Sequence, residues 1–207
     1  MNDEPVVNSD GYFRSTHTFD SRGKAIEVAY FGIDGKPMIT NGDAKFTDRY
    51  NDYGDLIEEA YFGTDGEPVI DTEGYARLTR VVDRDGRVIE EAYFGTDGKP
   101  VIAKRGFAKG VLRNDDLGRE IERSFYGVRG EPVVGKDDNA YHQGTRKLDA
   151  QGNVLEFATF GVDGKPIEVV DSASGRRCAK LVKRFDANNK QIESQCFNAA
   201  GTPVPDH

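Results

Sequence analysis

Hydrophobic and polar positions alternate along short runs, and the runs return about every thirty-two residues. In Ile89-Glu90-Glu91-Ala92-Tyr93-Phe94, a pleated strand puts Glu90, Ala92 and Phe94 on one face and Ile89, Glu91 and Tyr93 on the other. The run repeats almost unchanged from Ile57 to Phe62, and weaker copies start at Ile26, Ile121, Leu155 and Ile192. A shorter run precedes each copy and carries a β-branched residue at a fixed place: Thr16, Thr47, Thr79, Val111, Thr145 and Val182. Between the two runs stands a turn such as Asp20-Ser21-Arg22-Gly23 or Asp83-Arg84-Asp85-Gly86. Its last residue, Gly or Asn, suits the positive φ that turns often require. Two alternating runs around a turn predict a β-hairpin. No useful length of chain keeps a helical period without Gly or Pro, so little helix is expected.

Prolines mark the period. Pro5, Pro37, Pro68, Pro100, Pro132, Pro166 and Pro203 are separated by 32, 31, 32, 32, 34 and 37 residues. The 207 residues divide into about six units, near 4–34, 35–65, 66–97, 98–129, 130–163 and 164–200, with a short tail at 201–207. Periods of this length signal stacked arrays. The expected fold is all-β: tandem hairpins forming an elongated, twisted antiparallel sheet or a superhelical, solenoid-like array. A closed, propeller-like array is the alternative, although its blades usually need four strands. Proline cannot sit inside a central strand. Each Pro-Val step is therefore expected as an edge strand or connector that drops Val69, Val101, Val133 or Ile167 into the core. The first unit opens in mid-repeat at Glu4-Pro5, which reads as a segment cut from a longer parent; a mature terminus is the other reading.

The face carrying Glu90 is the more constant. Its acid stands in all six units as Glu27, Glu58, Glu90, Glu122, Glu156 and Glu193, and its aromatic as Phe31, Phe62, Phe94, Tyr126, Phe160 and Phe197. A basic residue recurs on the first run as Arg14, Lys45, Arg77, Lys109 and Lys180, with Gln143 in the fifth unit. A four-residue turn would set Tyr75 opposite Phe94 and Thr79 opposite Glu90. Arg77 would then lie diagonal to Glu90, within reach of an ion pair in the same hairpin. Stacking six carboxylates at parallel-helix spacing, about 4.8 Å, would be repulsive, whereas a meander separates them. Antiparallel pairing follows.

Composition sharpens this picture at a few points. Hydrophobic residues are 37% of the chain and charged residues 31%, against about 45–50% and 25% in ordinary domains. A thin array tolerates that deficit better than a thick core does. The net charge of −8 argues against nucleic acid and anionic membranes as partners. No run is long and apolar enough for membrane insertion, and the first residues lack the pattern of a signal peptide.

The turns Phe19-Asp20-Ser21-Arg22-Gly23, Leu148-Asp149-Ala150-Gln151-Gly152-Asn153 and Phe185-Asp186 resemble the Tyr-Asp-x-x-Gly-Asn signature of bacterial YD/RHS-type repeats. The aromatic–Asp–Gly turns also resemble MORN-variant repeats. Both resemblances imply antiparallel hairpin arrays in bacterial envelope, toxin-delivery or antitoxin proteins. The period here is longer than in either family, and no family activity carries over.

Candidate chemistry is sparse. His17, His142 and His207 fall at unrelated repeat positions, with no metal-ligand spacing. There is no nucleophile elbow and no phosphate loop. Asp83-Arg84-Asp85-Gly86 lacks the distal Glu of a calcium loop and is better read as a turn. A Glu that recurs in every unit beside a base is a structural pair rather than a catalytic acid. No catalytic residue, metal or cofactor is expected. Cys178 and Cys196 lie on the two strands of the last hairpin, one step off register with a four-residue turn. A disulfide there needs a bulge or another turn; two buried free thiols are the alternative.

The expected function is that of a non-enzymatic repeat module, a spacer or protein-interaction surface within a larger bacterial protein of the envelope or exterior. One alternative is glycan or cell-wall binding, with Tyr12, Tyr75, Phe107 and Tyr141 as a sugar-stacking platform and His142 beside it; core packing of these rings is the competing reading. Another is an antitoxin or immunity-type partner. Sites are expected where the period breaks: residues 138–143 of the fifth unit, and the long sixth unit with its cysteines.

Overall fold

The computed structural model describes residues 6–136, 140–171 and 174–205. Glu4, Pro5, Asp138, Asn139 and His207, named above from the sequence, lie outside the described residues. The chain forms two compact units, 1–103 and 104–207. Both are all-β, and no helix occurs among the described residues.

The first unit contains β1 (Arg14–Phe19), β2 (Ala25–Phe31), β3 (Lys45–Tyr50), β4 (Leu56–Phe62), β5 (Arg77–Val82) and β6 (Val88–Phe94). They follow one another in sheet order as in sequence, each antiparallel to its neighbours. The second unit contains β7 (Lys109–Asn114), β8 (Glu120–Tyr126), β9 (Gln143–Leu148), β10 (Val154–Phe160), β11 (Val169–Val170), β12 (Arg177–Cys178), β13 (Lys180–Phe185), β14 (Gln191–Phe197) and β15 (Pro203–Val204). Here β11 and β12 pair apart as a small hairpin, and the others run in chain order. The linear order within each unit is that of an open array, not of four-stranded blades.

The hairpin turn is one residue longer than the four expected. Asp83 Oδ1 accepts the N–H groups of Asp85 (2.9 Å) and Arg87 (3.0 Å), and Asp83 N–H donates to the Arg87 carbonyl. This side-chain ring brings residue 87 opposite residue 83. Asp20, Asn51, Asp115, Asp149 and Asp186 accept the same two N–H groups in their own turns. The turn ends at positive φ, +78° at Gly86, and Asn189 takes the same conformation at +60° in the sixth repeat. A bulge then leaves Ile89 of β6 unpaired, between Val88 opposite Val82 and Glu90 opposite Val81. Turn and bulge together shift the pairing by two. Arg77 stands opposite Phe94, Thr79 opposite Ala92 and Val81 opposite Glu90. A two-residue shift leaves the side chains within the strands on their expected faces and changes every cross-strand partner.

After each hairpin a second turn folds proline back as an isolated bridge, pairing Pro68 with Phe62 and Pro100 with Phe94. The next residue donates to the strand: Val69 N–H to Tyr61 O, Val101 to Tyr93 and Ile167 to Thr159, each at 3.0 Å. The connector reading therefore describes the chain path. Its aliphatic residues are half-buried rather than fully in the core. The following hairpin takes the rest of the edge, as when Glu58, Glu59 and Ala60 pair with Thr79, Leu78 and Arg77. Turns of successive repeats are also tied together. Lys24 Nζ donates to Gly54 O (2.6 Å), and Arg119 Nη1 to Asp149 O (2.7 Å).

Candidate functional site

One face of each unit carries the constant residues as a half-buried row. The basic residue lies over the aromatic opposite it. Arg14 over Phe31, Lys45 over Phe62, Arg77 over Phe94, Lys109 over Tyr126 and Lys180 over Phe197 stand 4.4–5.7 Å from the ring centroids. The expected ion pair within one hairpin is corrected by the register. Arg77 Nη1 reaches Glu58 Oε2 (3.2 Å) and Lys45 Nζ reaches Glu27 Oε2 (3.2 Å), each an acid of the preceding hairpin. Gln143, which replaces the base, donates to Glu122 in the same way at 2.8 Å.

Within a hairpin these acids meet other bases that the sequence did not single out. Arg49 pairs with Glu58, Arg113 with Glu122, Lys147 with Glu156 and Arg184 with Glu193. The signal was a base four residues after the first one, in a register that only the correct turn reveals. Glu58 thus ties three strands of two repeats together. Glu58→Gln is expected to cost about 1 kcal/mol, because both partners remain partly solvated. Urea unfolding at low salt and at ~1 M salt checks this: the difference between the proteins should shrink as salt screens the pairs.

The opposite face of the sheet is the buried one. Tyr75, just before β5, turns its ring onto Tyr93 (centroids 4.8 Å apart) and Tyr61 (5.8 Å), not onto Phe94. In the second unit Phe107 stacks on Phe125 (4.4 Å), Phe125 meets Tyr141 (5.6 Å), and Tyr141 meets Phe157 edge-on (6.0 Å). Phe107 is fully buried, while Tyr141 is 3% and Tyr75 8% exposed. These rings do not form a sugar-stacking platform, because their faces are spent on one another. Tyr12, on Tyr30, is half-buried. His142 is held structurally: Nδ1 lies 2.8 Å from Phe125 O, and the ring meets Tyr126 edge-on.

The second repeat breaks this ladder. Asp43 occupies the place that Tyr12, Tyr75, Phe107 and Tyr141 hold in other repeats. It is 6% exposed, and its Oδ2 has no hydrogen-bond partner. Burial, with Asp71 and Glu59 adding repulsion, raises its pKa to about 6. Nearby, burial and the Glu59 carboxylate, to which the Tyr61 hydroxyl donates, push the Tyr61 phenol well up. Burial also takes Tyr75 up to about 12. A carboxyl harder to ionise when folded opposes folding where it is charged. The penalty is absent below about pH 4, grows towards pH 6 and is complete above it. Asp43→Asn is expected to stabilise the protein by about 1–2 kcal/mol at pH 7 and to remove this pH dependence, since Asn keeps a buried polar group but no charge. Denaturant unfolding at pH 4, 5, 6 and 7 checks both parts.

The period breaks most strongly in the second unit. Cys178 and Cys196 form a disulfide with Cα atoms 5.4 Å apart. Cys178 belongs to β12, while Cys196 lies opposite Leu181. The longer turn and the bulge do not remove the mismatch, since Cys196 faces Leu181, three residues beyond Cys178; the bridge forms because Cys178 lies on β12, before the β13–β14 ladder begins. Thr159 replaces the ring expected on β10 and donates through Oγ1 to Ile167 O (2.8 Å). Gly144 admits the Tyr141 ring, which comes within 2.8 Å of where a Cβ would stand. Thr159, Cys178 and Cys196 are small where other repeats stack rings. Beside them lies a cavity of about 240 Å³, lined by Phe157, Leu181, Cys178, Ala179 and Lys180 and walled by Val169, Val170 and Asp171. The wall is the inserted hairpin β11–β12, whose turn is closed by Asp171: Gly175 N–H donates to its carbonyl (2.7 Å) and Ser174 N–H to its Oδ2 (3.0 Å). A wider depression of about 520 Å³ over the turns of the first two repeats is polar, with Asp20, Arg22, Arg49, Asn51 and Glu58 on its surface. No group of three or more metal-ligating side chains occurs among the described residues.

No known protein family matches the chain, and no curated protein matches it. Among solved structures it is similar to a chain of the Photorhabdus luminescens Tc holotoxin pore carrying a mutation in TccC3, with 8% identity and a TM-score of 0.37 over 89% of this chain. It is also similar to TcdB2-TccC3 with and without its hypervariable C-terminal region, at 10% identity and a TM-score of 0.21 over 95% and 91% of this chain. The chain spans only 10–14% of the length of those chains. Scores this low carry no argument about role.

Proposed function

We propose that the chain is a non-enzymatic repeat module, part of a larger bacterial protein, that presents a repeated surface to a protein partner. The observation that carries this reading is the half-buried row of cation-covered rings and bridged acids, presented again at successive hairpins. Such a row offers many equivalent weak contacts along one face, as extended repeat surfaces do. The disulfide supports an oxidising compartment, in keeping with an envelope or extracellular setting. No observation favours the glycan reading, since three of the four rings it needs, Tyr75, Phe107 and Tyr141, are buried.

Arg49, Arg113 and Arg184 are well exposed on this face, with side chains 63–70% exposed. Affinity capture from the source organism should compare the intact chain with an Arg49→Ala, Arg113→Ala, Arg184→Ala variant of matched thermal stability. A stoichiometric protein partner retained by the first and lost by the second supports the proposal, and an antitoxin role would appear as capture of a toxin. Equal capture by both, or no partner at all, overturns it.

A further inference from the structure

The cavity beside the inserted hairpin differs from the rest of the chain in charge as well as shape. Its lining mixes the apolar side chains of Phe157, Leu181, Val169 and the disulfide at Cys178 with polar surface. A contiguous depression of about 210 Å³ shares Phe157, Asp171 and Leu181 with it and adds Arg146, Val154 and Lys183. Two bases on this face, Arg146 and Lys183, therefore border the floor against one acid, Asp171, in a chain whose net charge is −8; the Lys180 ammonium points to the other face.

The bases are not equally available. Arg146 donates to Glu120, and its guanidinium lies 5.3 Å from the Phe157 ring centroid. Lys180 sits over Phe197. Lys183 is half-buried opposite Ser194, a neutral neighbour. Asp171 already accepts from Ser174 N–H and Oγ–H through Oδ2. A floor that carries an apolar patch and has one cation at its rim matches a ligand with an apolar body and a single negative charge.

We propose that this cavity binds a small amphipathic anion. The apolar part rests on Phe157, Leu181 and Val169, and the carboxylate or equivalent group faces Lys183. The site exists because the fifth and sixth repeats give up rings at Thr159, Cys178 and Cys196 and gain the hairpin wall.

The test uses two probes that share a phenyl ring and differ in charge, phenylacetate and 2-phenylethylamine. Each is titrated into the intact chain while the methyl resonances of Val169, Val170 and Leu181 are followed. Phenylacetate should shift them saturably with a Kd on the order of 1 mM, as fits a fragment of this size, and the amine should bind at least about tenfold more weakly. Lys183→Glu should weaken phenylacetate by about tenfold or more, and Val169→Trp should block it by filling the cavity. Lys36→Glu, on a distant exposed turn, should change nothing. Equal binding of both probes, no saturable shift, or the same loss in Lys183→Glu and Lys36→Glu overturns the proposal.

Discussion

Phe125→Ala is expected to destabilise the second unit by about 3–5 kcal/mol, because a fully enclosed ring is lost from a site with little room to collapse. Phe125 is 1% exposed and is held between two rings, Phe107 on one side and Tyr141 on the other. The substitution removes its own transfer free energy and both ring contacts, each worth about 0.5–1.5 kcal/mol beyond area. Neither neighbour can close the gap easily, since Phe107 is fully buried and Tyr141 is fixed over Gly144. The comparison that matters is Phe94→Ala on the other face. Phe94 is half-buried and covered by Arg77 at 4.4 Å, so its loss is expected to cost only about 1–2 kcal/mol. Chemical unfolding of both variants checks the order. An equal or greater cost for Phe94 would mean that the buried face does not hold the repeats together.

That order reverses what constancy along the chain suggests. The aromatic at Phe31, Phe62, Phe94, Tyr126, Phe160 and Phe197 never fails, yet it lies on the half-exposed face. The buried column varies freely, from Tyr30, Tyr61 and Tyr93 through Phe125 to Thr159 and Cys196. Alternation alone revealed the strands and which residues within them share a face, since these depend only on the period of two; it missed their limits, because Tyr75 and Cys178 lie before β5 and β13. It could not reveal which face is buried, because both carry aromatics and acids. Partners were illegible for a different reason. Register depends on one side-chain hydrogen bond, Asp83 Oδ1 with Arg87 N–H, and on one bulge, and each moves the pairing by a single residue. The bridge at Cys178 depended on a further detail, the placing of Cys178 on β12 outside the β13–β14 ladder. The candidate cavity was half legible: the spacings of 34 and 37 residues marked the place. Its wall is a local hairpin, β11–β12, and two paired residues are too short a run to show in an alternation pattern.

Reduction of the Cys178–Cys196 disulfide is expected to cost about 3 kcal/mol, from the entropy that an 18-residue separation returns to the unfolded chain. The bridge stands where other repeats place a ring pair, at 5.0 Å for Tyr12–Tyr30, 4.8 Å for Tyr75–Tyr93 and 4.4 Å for Phe107–Phe125. A ring pair gains by stacking on the next repeat's ring as well. The two sulfurs have no comparable surface, so the covalent link must supply what packing does not. Among the described residues, Leu181 and Val204 pack with the cysteines as an apolar cluster, too little to retain the hairpin's geometry once the link is cut. A reductant should therefore lower the melting temperature by on the order of 10 °C. A Cys178→Ala, Cys196→Ala variant should melt at the lower temperature with or without reductant. Because repeats are coupled mainly to their neighbours, the loss should concentrate in β10 to β15 and leave amide exchange in β7 and β8 nearly unchanged. Two free thiols in the unfolded, unreduced protein, or a melting temperature indifferent to reductant, would show that the link does not hold this hairpin.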